Sequence, residues 1–174
     1  MKKFSLAVAG ALIFVSIGAL PAQAREIFGS VGYGRFSREG AGSSFGPTWG
    51  AGIGAHPLPL LGFEFTVHGM RHKTENSDGT PVFLSGNVLV HLSGGLMQPY
   101  VVGGIGVMHY SGTSSCLGSC DTRISDNGFV TNFGAGMKIF LIPKVSLRPE
   151  IRFFNTRPSN SNMLQASIGL SLHW

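Results

Sequence analysis

The sequence predicts an all-β fold, an eight-stranded antiparallel transmembrane β-barrel, on three observations. Apolar and polar residues alternate in eight segments, the connections between these segments are short and long in turn, and no stretch beyond residue 24 is apolar enough to span a bilayer as a helix. The cleanest alternation is Met163 to Trp174, where Leu164, Ala166, Ile168, Leu170, Leu172 and Trp174 fall on one face and Gln165, Ser167, Gly169, Ser171 and His173 on the other. A period of two with one unbroken apolar face fits a strand with hydrocarbon outside and water or polar side chains inside.

Export is indicated at the other end of the sequence. Lys2 and Lys3 precede an apolar run from Phe4 to Leu20, and Pro21, Ala22, Gln23 and Ala24 supply an A-x-A cleavage pattern, the layout of a secretory signal peptide. The run is short and is interrupted by Gly10, Ser16 and Gly18, which disfavours a spanning helix. The expected organisation is a cleaved signal peptide over residues 1–24 and one barrel domain over residues 25–174. An exported chain that can enter a bilayer only as strands points to the bacterial outer membrane.

Composition agrees. Glycine is 26 of 174 residues, charged residues are 12% and hydrophobic residues 43%, a mixture too apolar for disorder and too rich in glycine for a helical bundle. About 150 residues hold eight strands of about ten residues with their connections, and more strands would leave none for loops. The formal charge of +5 falls to +3 without Lys2 and Lys3. That excess is scattered and no nucleic-acid motif accompanies it, which argues against a nucleic-acid partner. Arg38, Arg71, Arg123 and Arg157 are placed to attract the phosphates of outer-membrane lipids and lipopolysaccharide.

In chain order the expected strands are Glu26 to Phe36, Phe45 to His56, Gly62 to His72, Val82 to Leu92, Pro99 to Tyr110, Gly128 to Leu141, Lys144 to Phe154 and Met163 to Trp174. Between them, Pro57 to Leu61, Ser93 to Gln98, and Ile142 with Pro143 are short turns. Ser37 to Ser44, Lys73 to Pro81, Ser111 to Asn127 and Asn155 to Asn162 are longer and richer in Ser, Gly, Asn and charge. Short periplasmic turns and longer external loops follow the barrel rule and put both termini on the periplasmic side.

The faces are mutually consistent. In the seventh strand Val145, Leu147, Pro149, Ile151 and Phe153 face lipid and Arg148, Glu150 and Arg152 face inward; in the third, Phe63, Phe65 and Val67 face out and Glu64, Thr66 and His68 in. The sixth places Phe133, Ala135, Met137 and Ile139 outside and Asn132 and Lys138 inside. A slip of one residue would send these charges into hydrocarbon. Aromatic residues are expected in two interfacial girdles. Phe63, Tyr100, Phe140 and Trp174 are assigned to the periplasmic one, and Tyr33, Phe45, Trp49, Phe83, Tyr110, Phe129 and Phe153 to the external one.

Four stretches carry a resemblance. Pro99-Tyr100-Val101-Val102-Gly103-Gly104-Ile105-Gly106-Val107, Phe133-Gly134-Ala135-Gly136-Met137-Lys138, Leu147-Arg148-Pro149-Glu150-Ile151-Arg152-Phe153 and Ile168-Gly169-Leu170-Ser171-Leu172-His173-Trp174 together resemble the small outer-membrane β-barrel domain family, of the OmpA/OmpX and opacity-protein kind. The resemblance covers the mature chain and specifies the barrel better than an activity, since the family holds adhesins and structural anchors. It implies that the last strand, with Ile168, Leu170, Leu172 and Trp174, is read by the barrel-assembly machinery; Trp174 stands where Phe is usual.

An eight-stranded barrel has an interior just wide enough for side chains to fill it. Glu64, His68, Lys138, Arg148, Glu150 and Arg152 are therefore expected to form a lumen network of paired charges, which disfavours the narrow-porin alternative. The enzyme alternative is a lipid A deacylase-like barrel, a family that places a His, a Ser and a carboxylate on the outer wall through a His-x-Ser-Asn segment in the seventh strand. The corresponding segment here, Arg152-Phe153-Phe154-Asn155-Thr156-Arg157-Pro158-Ser159-Asn160, has no His before the Ser, and a hydroxyl without a base is not activated. His91-Leu92-Ser93 lies at the expected periplasmic end, away from external lipid A. Palmitoyl-transferase barrels begin with an amphipathic helix, and none is visible after Arg25.

His56, His68, His72, His91, His109 and His173 read as lumen or rim polar residues rather than metal ligands. Cys116 and Cys120 share the long third external loop in an oxidising compartment, which favours a disulfide. The alternative, a metal site, would need further ligands such as Asp121 and His109. The expectation is thus a monomeric outer-membrane barrel without cofactor or catalytic residues, structural or recognitional through its external loops.

Overall fold

All the strand pairings are antiparallel. The computed structural model describes residues 25–38, 42–74, 77–92, 95–116, 120–158 and 160–174. The strands are β1 (Arg25–Arg38), β2 (Gly42–Leu58), β3 (Leu61–Met70), β4 (His72–Thr74), β5 (Ser77–His91), β6 (Met97–Cys116), β7 (Cys120–Ile142), β8 (Val145–Arg157) and β9 (Ser161–His173). The sheet runs in the order β3-β2-β1-β9-β8-β7-β6-β5-β4, and pairing of β3 with β5 closes it. β3 and β4 are two parts of one stave, interrupted at Arg71, whose backbone N–H donates to the Pro47 carbonyl at 3.1 Å. The result is a barrel of eight antiparallel staves, closed where β3 pairs with β5, while β4 pairs with β5 alone. Residues 1–24, with the expected signal peptide, lie outside the described residues.

The burial pattern is that of a soluble protein turned inside out. Val31 is 65% exposed and Phe133 64%, whereas Lys138 and Arg152 are 1% exposed. Only a hydrocarbon surround makes that distribution favourable. The faces of β3, β7 and β8 are those expected from the alternation, and Leu164, Ile168, Leu170, Leu172 and Trp174 all face outward.

Two expectations are corrected. The longer connections are continuous hairpins rather than irregular loops: β6 extends to Cys116 and β7 begins at Cys120, with residue-by-residue pairing from Met97↔Ile139 to Cys116↔Cys120. Their Ser, Thr and Gly residues have pairing partners across the hairpin, so the backbone hydrogen bonds extend beyond the apolar band. β7 has 23 residues, about twice what a bilayer crossing requires. The Cys116 and Cys120 backbones face one another at the hairpin tip, but their side chains, and with them the expected disulfide, lie outside the described residues.

The second correction concerns aromatic residues. Phe83, Tyr100 and Tyr110, assigned above to the girdles, point into the lumen and are buried, and the Phe140 ring lies 5.0 Å from that of His173 at the lumen mouth. Phe83 shares its parity with inward Ser85 and Asn87, and Tyr110 with Met108, so strand alternation overrides position along the strand. Tyr33, Phe45, Trp49 and Phe129 at one end, with Phe63 and Trp174 at the other, remain exposed on the outer wall.

The lumen has two storeys. Towards the distal hairpins, Phe36, Met70, Phe83, Met108, Tyr110, Val130, Phe154 and Met163 form one buried apolar cluster, in which the Phe83 and Phe154 rings lie 4.8 Å apart. Towards the end holding Arg25 and Trp174, the interior is charged.

Candidate functional site

The charged storey centres on Arg148 of β8. Because Val145, Leu147, Pro149 and Ile151 take the outer face, the even-numbered residues of this strand enter the lumen. Arg148 is 2% exposed and forks onto Glu64: Nη1 donates to Oε1 at 2.5 Å and Nη2 to Oε2 at 2.9 Å. Its Nη2 also donates to Glu150 Oε2 at 2.9 Å, its Nε to the Tyr100 hydroxyl at 2.7 Å, and its Nη1 to Glu26 Oε1 at 3.4 Å. The Tyr100 hydroxyl in turn donates to Glu150 Oε2 at 2.7 Å.

Aromatic rings support this guanidinium. Its carbon lies 4.0 Å from the Phe28 ring centroid and 4.9 Å from that of Tyr100, a cation–π arrangement that gains strength away from water. Each ring covers a glycine directly across the sheet, in the pairs Phe28↔Gly52 and Tyr100↔Gly136. A Cβ at either glycine would fall 2.6 Å from a ring carbon, so only glycine leaves room for the ring.

Arg152 extends the network upward. It pairs with Glu150 through Nε at 2.7 Å and Nη2 at 3.0 Å, and its Nη1 reaches Thr66 Oγ1 and His68 Nε2, each at 3.5 Å. Below, Lys138 Nζ donates to both oxygens of Glu26 at 2.8 Å and to His56 Nε2 at 3.0 Å. A neutral ladder flanks the charges: Asn132 Nδ2 donates to Asn87 Oδ1 at 2.9 Å, and Asn87 Nδ2 to Thr66 Oγ1 at 3.0 Å.

Glu64, His68, Lys138, Arg148, Glu150 and Arg152 thus lie in one buried assembly, contributed by β3, β7 and β8. Sequence reasoning missed Glu26 and Tyr100, although parity marks both: Glu26 is opposite in parity to outward Ile27 and Val31 on β1, and Tyr100 to outward Val101, Ile105 and Val107 on β6. With them, Glu26, Glu64 and Glu150 face Lys138, Arg148 and Arg152, three carboxylates against three cations. Such a balanced, hydrogen-bonded network offsets the penalty of burying charge. Each carboxylate is engaged by cations and none is left free to act as a base. Among the described residues, no group of three or more His, Cys, Asp and Glu is arranged to hold a metal ion.

The outer wall holds a further His-x-Ser segment besides His91-Leu92-Ser93, one that sequence reasoning missed. In His109-Tyr110-Ser111, His109 and Ser111 face outward on β6, and His109 Nδ1 lies 2.7 Å from Asn127 Oδ1 on β7. Among the described residues no hydrogen bond joins Ser111 to the imidazole. Ser93 and Ser159, weighed above, lie outside the described residues.

Solved structures share the architecture. Neisserial surface protein A superposes with a TM-score of 0.70 at 16% identity, covering 86% of this chain and 97% of that one. Ail, the attachment invasion locus protein of Yersinia pestis, gives 0.62 at 12% identity over 88% of this chain and 99% of its own. The outer membrane enzyme PagL gives 0.50 at 15% identity over 84% of this chain and 98% of its own. At these identities the likeness is one of fold. No curated protein matches the sequence. The family model for the outer membrane protein beta-barrel domain matches residues 7–174, and with the closed, outwardly apolar barrel this places the chain in that family and in the outer membrane.

Proposed function

We propose that the chain is a plugged, monomeric scaffold that presents its distal hairpins at the cell surface, in a structural, adhesive or recognition role, without catalysis or bulk transport. The observation that carries this reading is the filled lumen, with an apolar storey stacked on a charge-balanced one. Neither storey offers a water column. The distal rim supplies recognition chemistry: Arg38 pairs with Asp126 at 3.4 Å and lies over the Tyr110 ring, Arg35 lies over the Phe45 ring, and Arg71 and Arg157 are exposed. Guanidinium groups at that level suit the phosphates of lipopolysaccharide. Arg123, the remaining rim candidate, has its side chain outside the described residues. The outward row on β9 fits reading by the barrel-assembly machinery.

The test is a binding screen of the refolded barrel against lipopolysaccharide and host matrix components, with shortened hairpins as controls. Binding that survives removal of every distal hairpin, or no binding to any component, would remove the recognition role.

A second reading, an outer-wall acyl hydrolase, rests on His109, Asn127 and Ser111. An imidazole oriented by an amide beside a serine is the triad logic, and Val107↔Phe129, one step nearer the membrane centre, places it at the interfacial girdle. Overproduction should leave membrane lipid acyl mass unchanged; a loss of acyl mass abolished by Ser111→Ala would establish this reading instead.

A further inference from the structure

At the end holding Arg25 and Trp174 the lumen opens into a recess of about 340 Å³, whose lining includes His56, His91, Lys138 and His173 together with Leu58 and Phe140. His91 is 4% exposed, and among the described residues neither of its ring nitrogens has a hydrogen-bond partner. Its ring lies 5.0 Å from that of His56. Because His56 Nε2 accepts from Lys138 at 3.0 Å, the His56 N–H is at Nδ1. A buried imidazole without partners is costly, and a ligand that satisfies it recovers that cost.

The recess has no acid of its own to spare. Both oxygens of Glu26 are taken by Lys138, and Oε1 also receives Arg148. The charged and titratable groups surrounding His91 are Glu26 on β1, His56 on β2, Glu64 on β3, Tyr100 on β6, Lys138 on β7, Arg148 on β8 and His173 on β9. The two carboxylates cancel the two fixed cations, so a charged imidazole here has to find its counter-charge in a ligand. A metal ion suits imidazoles, but the Lys138 ammonium already sits between Glu26 and His56.

We propose that this recess binds a small carboxylate with an apolar body. The carboxylate accepts from the His91 and His56 N–H groups, and the apolar part lies against Leu58 and Phe140. The bound anion favours the charged imidazole, so binding takes up a proton and tightens as pH falls.

Benzoate is the probe, with benzyl alcohol as its neutral counterpart and Zn²⁺ as the competing class. The full chain is refolded in micelles and the histidine ring resonances are followed by NMR. Benzoate should shift the His91 and His56 resonances with a Kd of about 1 mM. Uptake of one proton should tighten it about tenfold per pH unit where His91 is neutral when free. His91→Ala should weaken binding at least about tenfold, by loss of a charge-assisted hydrogen bond. If that variant lacks the folded, heat-modifiable band on a gel, His91→Phe keeps the ring, removes both nitrogens and carries the same expectation. Equal binding of benzyl alcohol, an unshifted His91, wild-type affinity in the variant that folds, or Zn²⁺ saturating the site below the benzoate Kd would each overturn the proposal.

Discussion

Arg148 is the residue on which the interior depends, because one guanidinium serves Glu26, Glu64, Glu150 and Tyr100 at once. Removing it leaves three buried carboxylates with two cations, and an uncompensated buried charge costs about 3–5 kcal/mol. Arg148→Met should therefore lower unfolding free energy in micelles by about that amount, read from the urea midpoint of tryptophan fluorescence. Arg148→Lys keeps the charge but loses the fork and the stacking on Phe28 and Tyr100, so it should fall between Arg148→Met and wild type. Equal stability of all three proteins would show that the network contributes nothing. Tyr100→Phe keeps the ring and deletes one donor and one acceptor. It should cost about 1–3 kcal/mol by the same measurement.

At the scale of the strand, period-two reasoning assigned the faces of β3, β7, β8 and β9, since a charge in hydrocarbon is penalised too heavily to be ambiguous. It misassigned Phe83, Tyr100 and Tyr110 because an aromatic ring is tolerated in a girdle and in an apolar lumen alike. Strand length was equally illegible: Ser, Thr and Gly read as loop, yet pair readily once a hairpin is begun, as β6 and β7 do out to Cys116↔Cys120. That protruding hairpin adds pairing beyond the membrane band, and the closed wall does not depend on it. Deleting residues 113–123 should leave the heat-modifiable band on a gel intact, and loss of that band would show that the hairpin is needed for assembly. On the outer wall Trp49 stands opposite Gly69, and a Cβ there would fall 2.5 Å from the indole Cζ2, an aromatic covering a strand glycine. Gly69→Ala should push the indole aside and shift tryptophan emission, while Gly29→Ala on the same wall, with open space around it, should leave emission unchanged.

For the whole molecule, the sequence makes the outer wall legible and the contents of the lumen only half so. Alternation marks inward charges such as Arg152, but the apolar storey is built from Phe36, Met70, Met108, Phe154 and Met163, which on parity alone look like lapses in the pattern. Those residues come from different staves and meet only once the barrel closes, which no local pattern reports. On the proposed plugged reading, the lumen is sealed twice in series, by packing at the distal end and by ion pairs at the other. Two seals in series predict a result that a single plug does not. Phe83→Ala with Phe154→Ala should open a cavity in the distal storey at a cost of several kcal/mol, at about 3–5 for each Phe, and still leave planar-bilayer conductance at the wild-type baseline, because the ion pairs below remain. Conductance should rise only when Arg152→Ala is added and the proximal seal is also breached, measured on preparations that retain the folded band. Steady channels from the Phe83 and Phe154 variant alone would mean that the charged storey is a passage rather than a seal.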